Sequence, residues 1–81
     1  RQAFAVTVKH IVDLEGIYGT SHLHICRDAD DNVIIYKGTQ YWGKGAQVTF
    51  MAKVKEHGVR DGVKQTIIQR PTKVKVNGED Y

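Results

Sequence analysis

Apolar and polar side chains alternate along most of this chain, which is the pattern of half-buried β-strands. In the first segment, residues 4–12, the apolar residues Phe4, Val6 and Val8 alternate with smaller or polar ones. A period of two predicts that these three side chains lie on the core face of a strand. The alternation breaks at residues 10–12, which predicts a bend or bulge that lets one strand serve two parts of a closed barrel.

The next two strands are predicted to form a hairpin. In residues 20–27, alternation places two aliphatic side chains, Leu23 and Ile25, on one face of a strand. The opposite face then carries His22, His24 and Cys26. From this alternation we assign the two histidines to the outer face. An acidic turn at residues 28–32 leads into a third strand at 33–37, because Asp and Asn side chains bond their own backbone in tight turns.

The second half of the chain predicts two more strands. Residues 46–56 give the clearest one, since every second side chain is apolar: Val48, Phe50, Ala52 and Val54. A polar loop follows at 57–62. The last strand, residues 64–70, is expected to end at Pro71, whose missing N–H stops ladder pairing.

Length and pattern together define the fold class. The chain has 81 residues, enough for one domain, and shows no convincing amphipathic helix. Five short strands separated by turn signals predict a small all-β sandwich or barrel, and a five-stranded barrel satisfies its own edges. We predict one domain over residues 1–76 and a flexible C-terminal tail over 77–81.

The charge distribution changes this picture. The net charge is only +3, but the basic residues are concentrated in the second half. Eight lysines and arginines lie between Lys44 and Lys75, against two acids, Glu56 and Asp61. A local excess of this size is expected of a surface that meets an anionic partner. It is equally expected of a solvated, lysine-rich face that keeps strands soluble.

Cysteine content and the start of the chain indicate the compartment. Cys26 is the only cysteine, so no internal disulfide can form, and a reducing, intracellular and cytoplasmic setting is expected. No apolar run approaches the roughly 18 residues that a membrane-spanning helix needs. The chain starts at Arg1 without a signal-peptide pattern, so we expect an excised domain or a processed fragment of a larger parent protein.

An ordered set of short segments carries a family resemblance: Val8–Ile11, Gly16–Ser21, Asp28-x-Asp30-x-Asn32, Gly43-Lys44-Gly45, Ala52–His57, Gly62–Thr66 and Arg70-Pro71. The set covers residues 4–73 and resembles OB-fold domains of phage and bacterial DNA-replication proteins. The resemblance implies a five-stranded OB-fold-like Greek-key barrel that binds single strands as one module of a larger protein. Many such domains place a helix between the third and fourth strands, where this chain has only a short Gly-rich loop.

The resemblance also implies where a nucleic acid would bind. Single-strand binders combine a positive groove with aromatic faces, and in an OB-fold the groove crosses the second and third strands and the loops beside them. The residues of this chain that match are Tyr18, His22, His24, Tyr36, Lys37, Tyr41, Trp42, Lys53, Lys55, Arg60 and Lys64. Tyr41 and Trp42 are also open to a second interpretation, a plug that closes one end of the barrel. Tyr36 could equally belong to an ordinary cross-strand pair of side chains, with no contact to a ligand.

A metal site is the alternative chemistry of the second strand. His22-x-His24, with Cys26 two residues on, offers nitrogen and sulfur donors of the kind that zinc accepts. The simpler interpretation is two surface histidines and a lone cysteine that behaves as a small apolar residue. The acidic turn lacks the glycine and glutamate of a calcium loop, since Val33 and Thr39 stand at those positions. We therefore predict no metal and no cofactor.

Two functions of different class remain. The first is non-catalytic binding of single-stranded DNA, or RNA, within a replication or repair protein, since no spacing of hydroxyls and histidines points to a nucleophile and its base. The second is a protein-interaction or assembly module on the same barrel. Exposure of Tyr36, His22 and His24 beside lysines would favour nucleic acid, whereas cover by Trp42 or by the acidic turn would favour a protein partner.

Overall fold

A computed structural model describes residues 2–17 and 19–81, except for the side chain of Arg60. The described chain contains six strands and no helix. The strands are β1 Gln2–Gly16, β2 Gly19–Asp28, β3 Val33–Gly38, β4 Gln47–Arg60, β5 Val63–Val76 and β6 Glu79–Asp80.

Pairing of the strands closes a barrel. The sheet has the order β3-β2-β1-β4-β5-β6, and β3 also pairs with β5. That contact is parallel, whereas all the other pairings are antiparallel. The predicted all-β class is confirmed: five strands form a closed, OB-fold-like barrel, and β6 adds a short extra strand to it.

The long first strand serves two sides of the barrel. Residues Gln2 to Thr7 of β1 pair with β4, and residues Val6 to Gly16 pair with β2. The register with β2 shifts by one residue between Val8 and His10. Such a bulge bends a strand and increases its twist, as barrel closure requires. The predicted bulge is therefore present, but it lies directly before residues 10–12 instead of within them.

The core includes most of the side chains that alternation predicts on β1 and β4, together with residues of β2, β3, β5 and the β3–β4 loop. The predicted core residues Phe4 and Val54 are half-buried. Val6 and Val8 of β1 are buried, as are Val48, Phe50 and Ala52 of β4. Burying these apolar side chains is the main favourable contribution to folding, at about 25 cal/mol per Å² of apolar surface removed from water.

The face assignment of β2 is wrong. His24 and Cys26 are buried in the core, whereas Leu23 and Ile25 lie half-buried on the outside. The register with β1 explains this, because Cys26 pairs with the buried Val8, and paired residues share a face. Each of the two alternating sets in β2 contains hydrophobic residues, so the neighbouring strand decides which set points inward.

The expected end of the last strand at Pro71 is also wrong. Strand β5 continues to Val76, and its register with β4 shifts beside Pro71: Gln69 pairs with Lys53, but Thr72 pairs with Met51. One extra residue therefore lies on β5 there, and Arg70 has a φ of 52°. A proline is tolerated at such a bulge because the ladder is already interrupted.

The C-terminal residues differ from the predicted flexible tail. Asn77 and Gly78 form a turn with positive φ, and β6 then pairs antiparallel with Lys75 and Val76. The backbone N–H of Tyr81 donates to the carbonyl of Val74 at 3.0 Å. Residues 77–81 thus form a short hairpin with the end of β5.

Candidate nucleic-acid interface

Four rings form a cluster inside the barrel. The rings of Tyr36 and Trp42 stack with centroids 4.8 Å apart, and Trp42 also contacts His24 at 4.8 Å and Phe50 at 5.2 Å. The exposed fractions of His24, Tyr36 and Trp42 are 0 %, 5 % and 4 %. None of the three rings offers a face to a nucleic-acid base, although the sequence suggested all three for that role. Trp42 is buried in the core, as the interpretation of a plug at one barrel end predicts. The predicted exposure of His24 and Tyr36 is wrong.

His24 holds the loop that carries Trp42. Its Nε2 accepts a hydrogen bond from the backbone N–H of Trp42 at 3.2 Å. An accepting Nε2 places the proton of the neutral ring on Nδ1. That Nδ1 atom is buried and has no hydrogen-bond partner among the described residues. Burial lowers the pKa of His24, so the ring is neutral at physiological pH.

The loop between β3 and β4 closes one end of the barrel. The indole Nε1 of Trp42 donates to Oε1 of Gln40 at 3.0 Å. Gly45 donates its N–H to the carbonyl of Val8 at 2.8 Å, and the N–H of Val8 donates to the carbonyl of Ala46 at 2.9 Å. Gly45 has a φ of 85°, which glycine adopts without steric cost. These bonds fasten the loop to β1, at the place where many OB-folds carry a helix.

The rim of this closed end carries the more accessible rings. Tyr41 is 53 % exposed, and its ring meets that of His22 edge to face at 5.1 Å. His22 is bonded through Nδ1 to a carboxylate oxygen of Asp13 at 2.7 Å. The backbone N–H of Tyr41 donates to the hydroxyl of Tyr81 at 3.0 Å. Tyr18, also predicted for the interface, lies outside the described residues.

The outer face of β2 and β3 differs in composition from the predicted one. Of the candidates, only Lys37 lies on it, paired with Leu23. Its other side chains are aliphatic or basic: Leu23, Ile25, Arg27 and Ile35. Sequence reasoning missed these residues, although the Leu23–Ile25 alternation was the signal that could have identified them.

The predicted basic residues of the second half share the β4–β5 hairpin. Lys53, Lys55 and Lys64 are exposed there, and so are Lys73 and Lys75. Within the part of the chain that the structure describes, no salt bridge involves any of these five lysines. Arg60 is the last residue of β4, but its side chain lies outside the described part of the chain. The hairpin therefore presents more positive than negative side chains, since Glu56 and Asp61 are its acidic residues.

A shallow depression lies between this hairpin and the acidic turn. Asn32 lines it on one side, and His57 and Lys64 line it on the other. His57 Nδ1 and Thr66 Oγ1 lie 3.5 Å apart across the hairpin. The depression thus joins a cation, an imidazole and an amide near the tip of the β4–β5 hairpin.

The acidic turn itself is a closed structural unit. One carboxylate oxygen of Asp28 accepts the backbone N–H groups of Asp30 at 3.0 Å and of Asn32 at 2.9 Å. Arg27 pairs with Asp31 at 3.1 Å. Partial desolvation acts to raise the pKa of Asp28, but the hydrogen bonds outweigh it and the pKa lies below its usual value. The turn is a hairpin connection in which the side chains satisfy the local backbone.

The metal alternative finds no support in this geometry. Among residues 2–17 and 19–81, no group of three His, Cys, Asp or Glu side chains is arranged to hold a metal ion. Cys26 is buried in the core, and burial raises the pKa of its thiol to about 12.

Comparison with known proteins identified no related protein. No protein-family model, no curated protein and no solved structure matches this chain. No helix among the described residues is long and apolar enough to cross a membrane.

Proposed function

We propose that this domain binds single-stranded nucleic acid, with DNA favoured over RNA, without catalysis and as a module of a replication or repair protein. The observation that carries the proposal is the β4–β5 hairpin, on which five exposed lysines have no salt-bridge partner among the described residues. A positive surface of this kind on an OB-fold-like barrel suits a polyanion.

The lysines of the hairpin would contact phosphates. Lys53 lies on the outer face of β4, Lys55 lies at the bulge between Val54 and Glu56, and Lys64 lies near the tip. Each phosphate contact releases a counterion, so log K should fall against log salt by about 0.7 per contact for a single strand. Binding is expected to be strongly salt-dependent and to show little sequence preference.

Stacking would contribute less than in an aromatic OB-fold groove. Base stacking on an aromatic ring contributes on the order of 1–3 kcal/mol. Tyr36 and Trp42, however, stack on each other in the core and are buried. Tyr41 and Tyr81 are exposed rings on the rim, and His57 is exposed near Lys64. We therefore expect contacts to phosphates to contribute more to binding than base stacking does.

A protein-interaction or assembly module is the second candidate, and one observation favours it. Trp42 covers Tyr36 and His24, so these two rings of the expected aromatic face are not on the surface. The outer face instead presents Ile25 and Ile35. Aliphatic side chains on an open sheet face are the surface that a protein partner packs against.

The test is a titration of a fluorescently labelled oligo-dT strand with the domain, followed by anisotropy at low and moderate salt. Lys53→Gln and Lys64→Gln are each expected to weaken binding several-fold and to lower the salt slope by about 0.7. The matched control is Lys9→Gln, which removes an exposed lysine from β1 instead of the hairpin.

Binding that is unaffected by Lys9→Gln and reduced by both hairpin variants supports the proposal. No binding at low salt overturns it and makes the protein-interaction module the leading function. Equal losses in all three variants would also contradict it, because they would show a diffuse charge effect instead of a site on the hairpin.

A further inference from the structure

Two exposed tyrosines meet at the rim of the closed barrel end. Tyr41 lies in the β3–β4 loop and is 53 % exposed, and Tyr81 follows β6 and is 60 % exposed. The backbone N–H of Tyr41 donates to the hydroxyl of Tyr81 over 3.0 Å, which joins two residues that are far apart in the chain. We call these two residues the tyrosine pair. No other Phe, Tyr or Trp among the described residues is exposed to this extent.

Both members of the tyrosine pair are held in place before any ligand binds. The backbone N–H of Tyr81 donates to the carbonyl of Val74 at 3.0 Å, so Tyr81 is anchored through its main chain and through its hydroxyl. The ring of Tyr41 meets that of His22 edge to face, and His22 is bonded to Asp13. A side chain that is already ordered loses little rotamer freedom on binding, so more of the contact energy appears as affinity.

The fold leaves ring surface of the tyrosine pair accessible. Tyr41 contacts the rings of His22 and His24 at interplanar angles of 74° and 60°, and neither contact is a parallel stack. Among residues 2–17 and 19–81, no ring contact involves Tyr81. The tyrosine pair therefore offers the kind of surface on which a planar ligand stacks.

A shallow cleft adjoins Tyr81 on the side of β5. Its volume is about 450 Å³, within the range of small-ligand sites, and it is lined by Lys73, Val74, Lys75, Asp80 and Tyr81. The cleft carries two cations against one carboxylate, and within the described chain no salt bridge joins Asp80 to either lysine. Glu79, the other acid of β6, pairs with Val76 and does not line the cleft. The charge of the cleft is therefore positive.

The backbone at Lys73 departs from a regular strand. Its φ is 52°, a left-handed conformation that glycine adopts freely and that residues with a Cβ adopt at a cost. Lys75 pairs with Thr49 of β4, whereas Thr72 pairs with Met51, so β5 carries an extra residue between these two pairs. Bulges of this kind redirect side chains and are frequent beside binding sites. A lysine thus lines the cleft from a position whose backbone favours glycine.

One class of ligand uses both the rings and the lysines. Each unit of a single-stranded nucleic acid combines a planar base, which stacks on tyrosine, with a phosphate, which pairs with lysine. A neutral sugar or a proline-rich segment would use the rings and leave the lysines without a partner. An acidic peptide without rings would use the lysines alone.

We infer that the tyrosine pair and the adjoining cleft form a base-stacking site for two consecutive nucleotides of a single strand. One base lies on Tyr81, the next lies on Tyr41, and the phosphate beside the first base meets Lys73 and Lys75. The stacking site rests on the proposed function, because its lysines belong to the same β4–β5 hairpin. It is the part of that interface that recognises bases instead of charge.

The test compares oligo-dT with an abasic deoxyribose-phosphate strand of the same length and charge, using the whole 81-residue chain. Fluorescence anisotropy at low salt is expected to give an affinity for oligo-dT at least about tenfold higher than for the abasic strand, because only bases can stack. In NMR titrations, the ring signals of Tyr41 and Tyr81 should shift more with oligo-dT than with the abasic strand.

Variants separate the rings from the phosphate contacts. Tyr81→Leu and Tyr41→Leu are each expected to lower the affinity for oligo-dT about five- to tenfold and to leave that for the abasic strand unchanged. Tyr81→Phe keeps the ring and loses the hydroxyl that accepts the Tyr41 N–H, so it should retain most of the affinity. Val12→Thr, at an exposed apolar residue of β1, is the matched control and should change neither affinity. Retained native NMR dispersion confirms that each variant is folded.

Two outcomes would overturn the stacking site alone. The first is equal affinity of the parent for oligo-dT and for the abasic strand, which would leave phosphate binding by the hairpin intact. The second is a loss in Tyr81→Phe as large as that in Tyr81→Leu, which would assign the effect to the hydroxyl that anchors the loop instead of to the ring. An absence of binding by either strand at low salt would overturn the proposed function together with the stacking site, so the two failures are distinguishable.

Discussion

The backbone N–H of Trp42 donates a hydrogen bond to Nε2 of His24 over 3.2 Å, inside the closed end of the barrel. This one contact joins the loop between β3 and β4 to the centre of β2. It also explains how a polar histidine lies fully buried, because its acceptor satisfies a backbone donor that would otherwise lack a partner. A titratable ring is therefore one of the contacts that join the loop to the core.

Acidification is expected to destabilise the domain through His24. Burial lowers the folded-state pKa of His24 below the usual 6.5, and the imidazolium could not accept the Trp42 N–H. The stability that the neutral ring contributes is fully present above pH 6.5 and is lost as pH falls below that value. The loss is at most about 1.4 kcal/mol per pH unit for one proton.

Urea unfolding at several values between about pH 7.5 and about pH 5 measures this effect. His24→Gln keeps an acceptor and cannot titrate, so it is expected to flatten the dependence, whereas His10→Gln, at an exposed site, is the control. His22, Tyr36 and Tyr41 surround the ring of His24, and Asp13 bonds to His22. A pH dependence that persists unchanged in His24→Gln would show that His24 is not its source.

Removing the plug should cost much of the stability of the domain. Trp42→Ala deletes a buried ring that contacts Tyr36, His24 and Phe50, and such truncations cost about 3–5 kcal/mol. Trp42→Phe retains a ring and is expected to cost less. Denaturation followed by circular dichroism measures both variants. A Trp42→Ala variant as stable as the parent would show that the indole is not part of the core.

Gly38 is expected to tolerate no side chain. A Cβ at this position would overlap the ring of Tyr36, which cannot yield because it stacks on Trp42. Gly38→Ala should therefore destabilise the domain by about 1–3 kcal/mol, as overpacking does. Gly58→Ala is the matched control, since nothing lies within 4 Å of its added Cβ, and it should change stability by less than about 0.5 kcal/mol. Equal effects of the two substitutions would contradict the packing of Tyr36 over Gly38.

Cys26 is expected to report unfolding. Its side chain is buried, and its thiol pKa is raised to about 12, so little thiolate exists at neutral pH. Modification by a disulfide reagent such as Ellman's should be slow in buffer and fast in denaturant. An added exposed thiol, Ala29→Cys in the acidic turn, should react at once in buffer. Rapid reaction of native Cys26 would show that β2 faces outward as the sequence first suggested.

Alternation predicted β1 and β4 correctly because each of these strands has one strongly apolar set of side chains. Val6 and Val8, or Val48 and Phe50, leave no doubt about which face is inside. Strand β2 could not be assigned in this way, since Ile25 and Cys26 compete as core residues. The register between Cys26 and Val8 settles the choice, and a pairing across strands is not visible in the local sequence.

The site was predictable only where it depends on charge. The cluster of lysines from Lys53 onward is visible in the sequence and is exposed on the hairpin of the structure. Trp42 lies in a loop without periodicity, so nothing local shows that it folds inward onto His24. Pro71 would be expected to end a regular strand, because proline lacks the N–H that ladder pairing needs. Strand β5 continues past it because a bulge beside Arg70 already interrupts the ladder.

The most direct measurement is an NMR titration of the isotope-labelled domain with unlabelled oligo-dT at low salt, repeated at moderate salt. Nucleic-acid binding by the β4–β5 hairpin predicts amide shifts at Lys53, Lys55 and Lys64 that shrink steeply as salt rises, while the indole signal of buried Trp42 stays in place. An absence of shifts at low salt would contradict the proposed function. Shifts that leave the hairpin untouched and appear instead at Trp42 and Tyr36 would also contradict it.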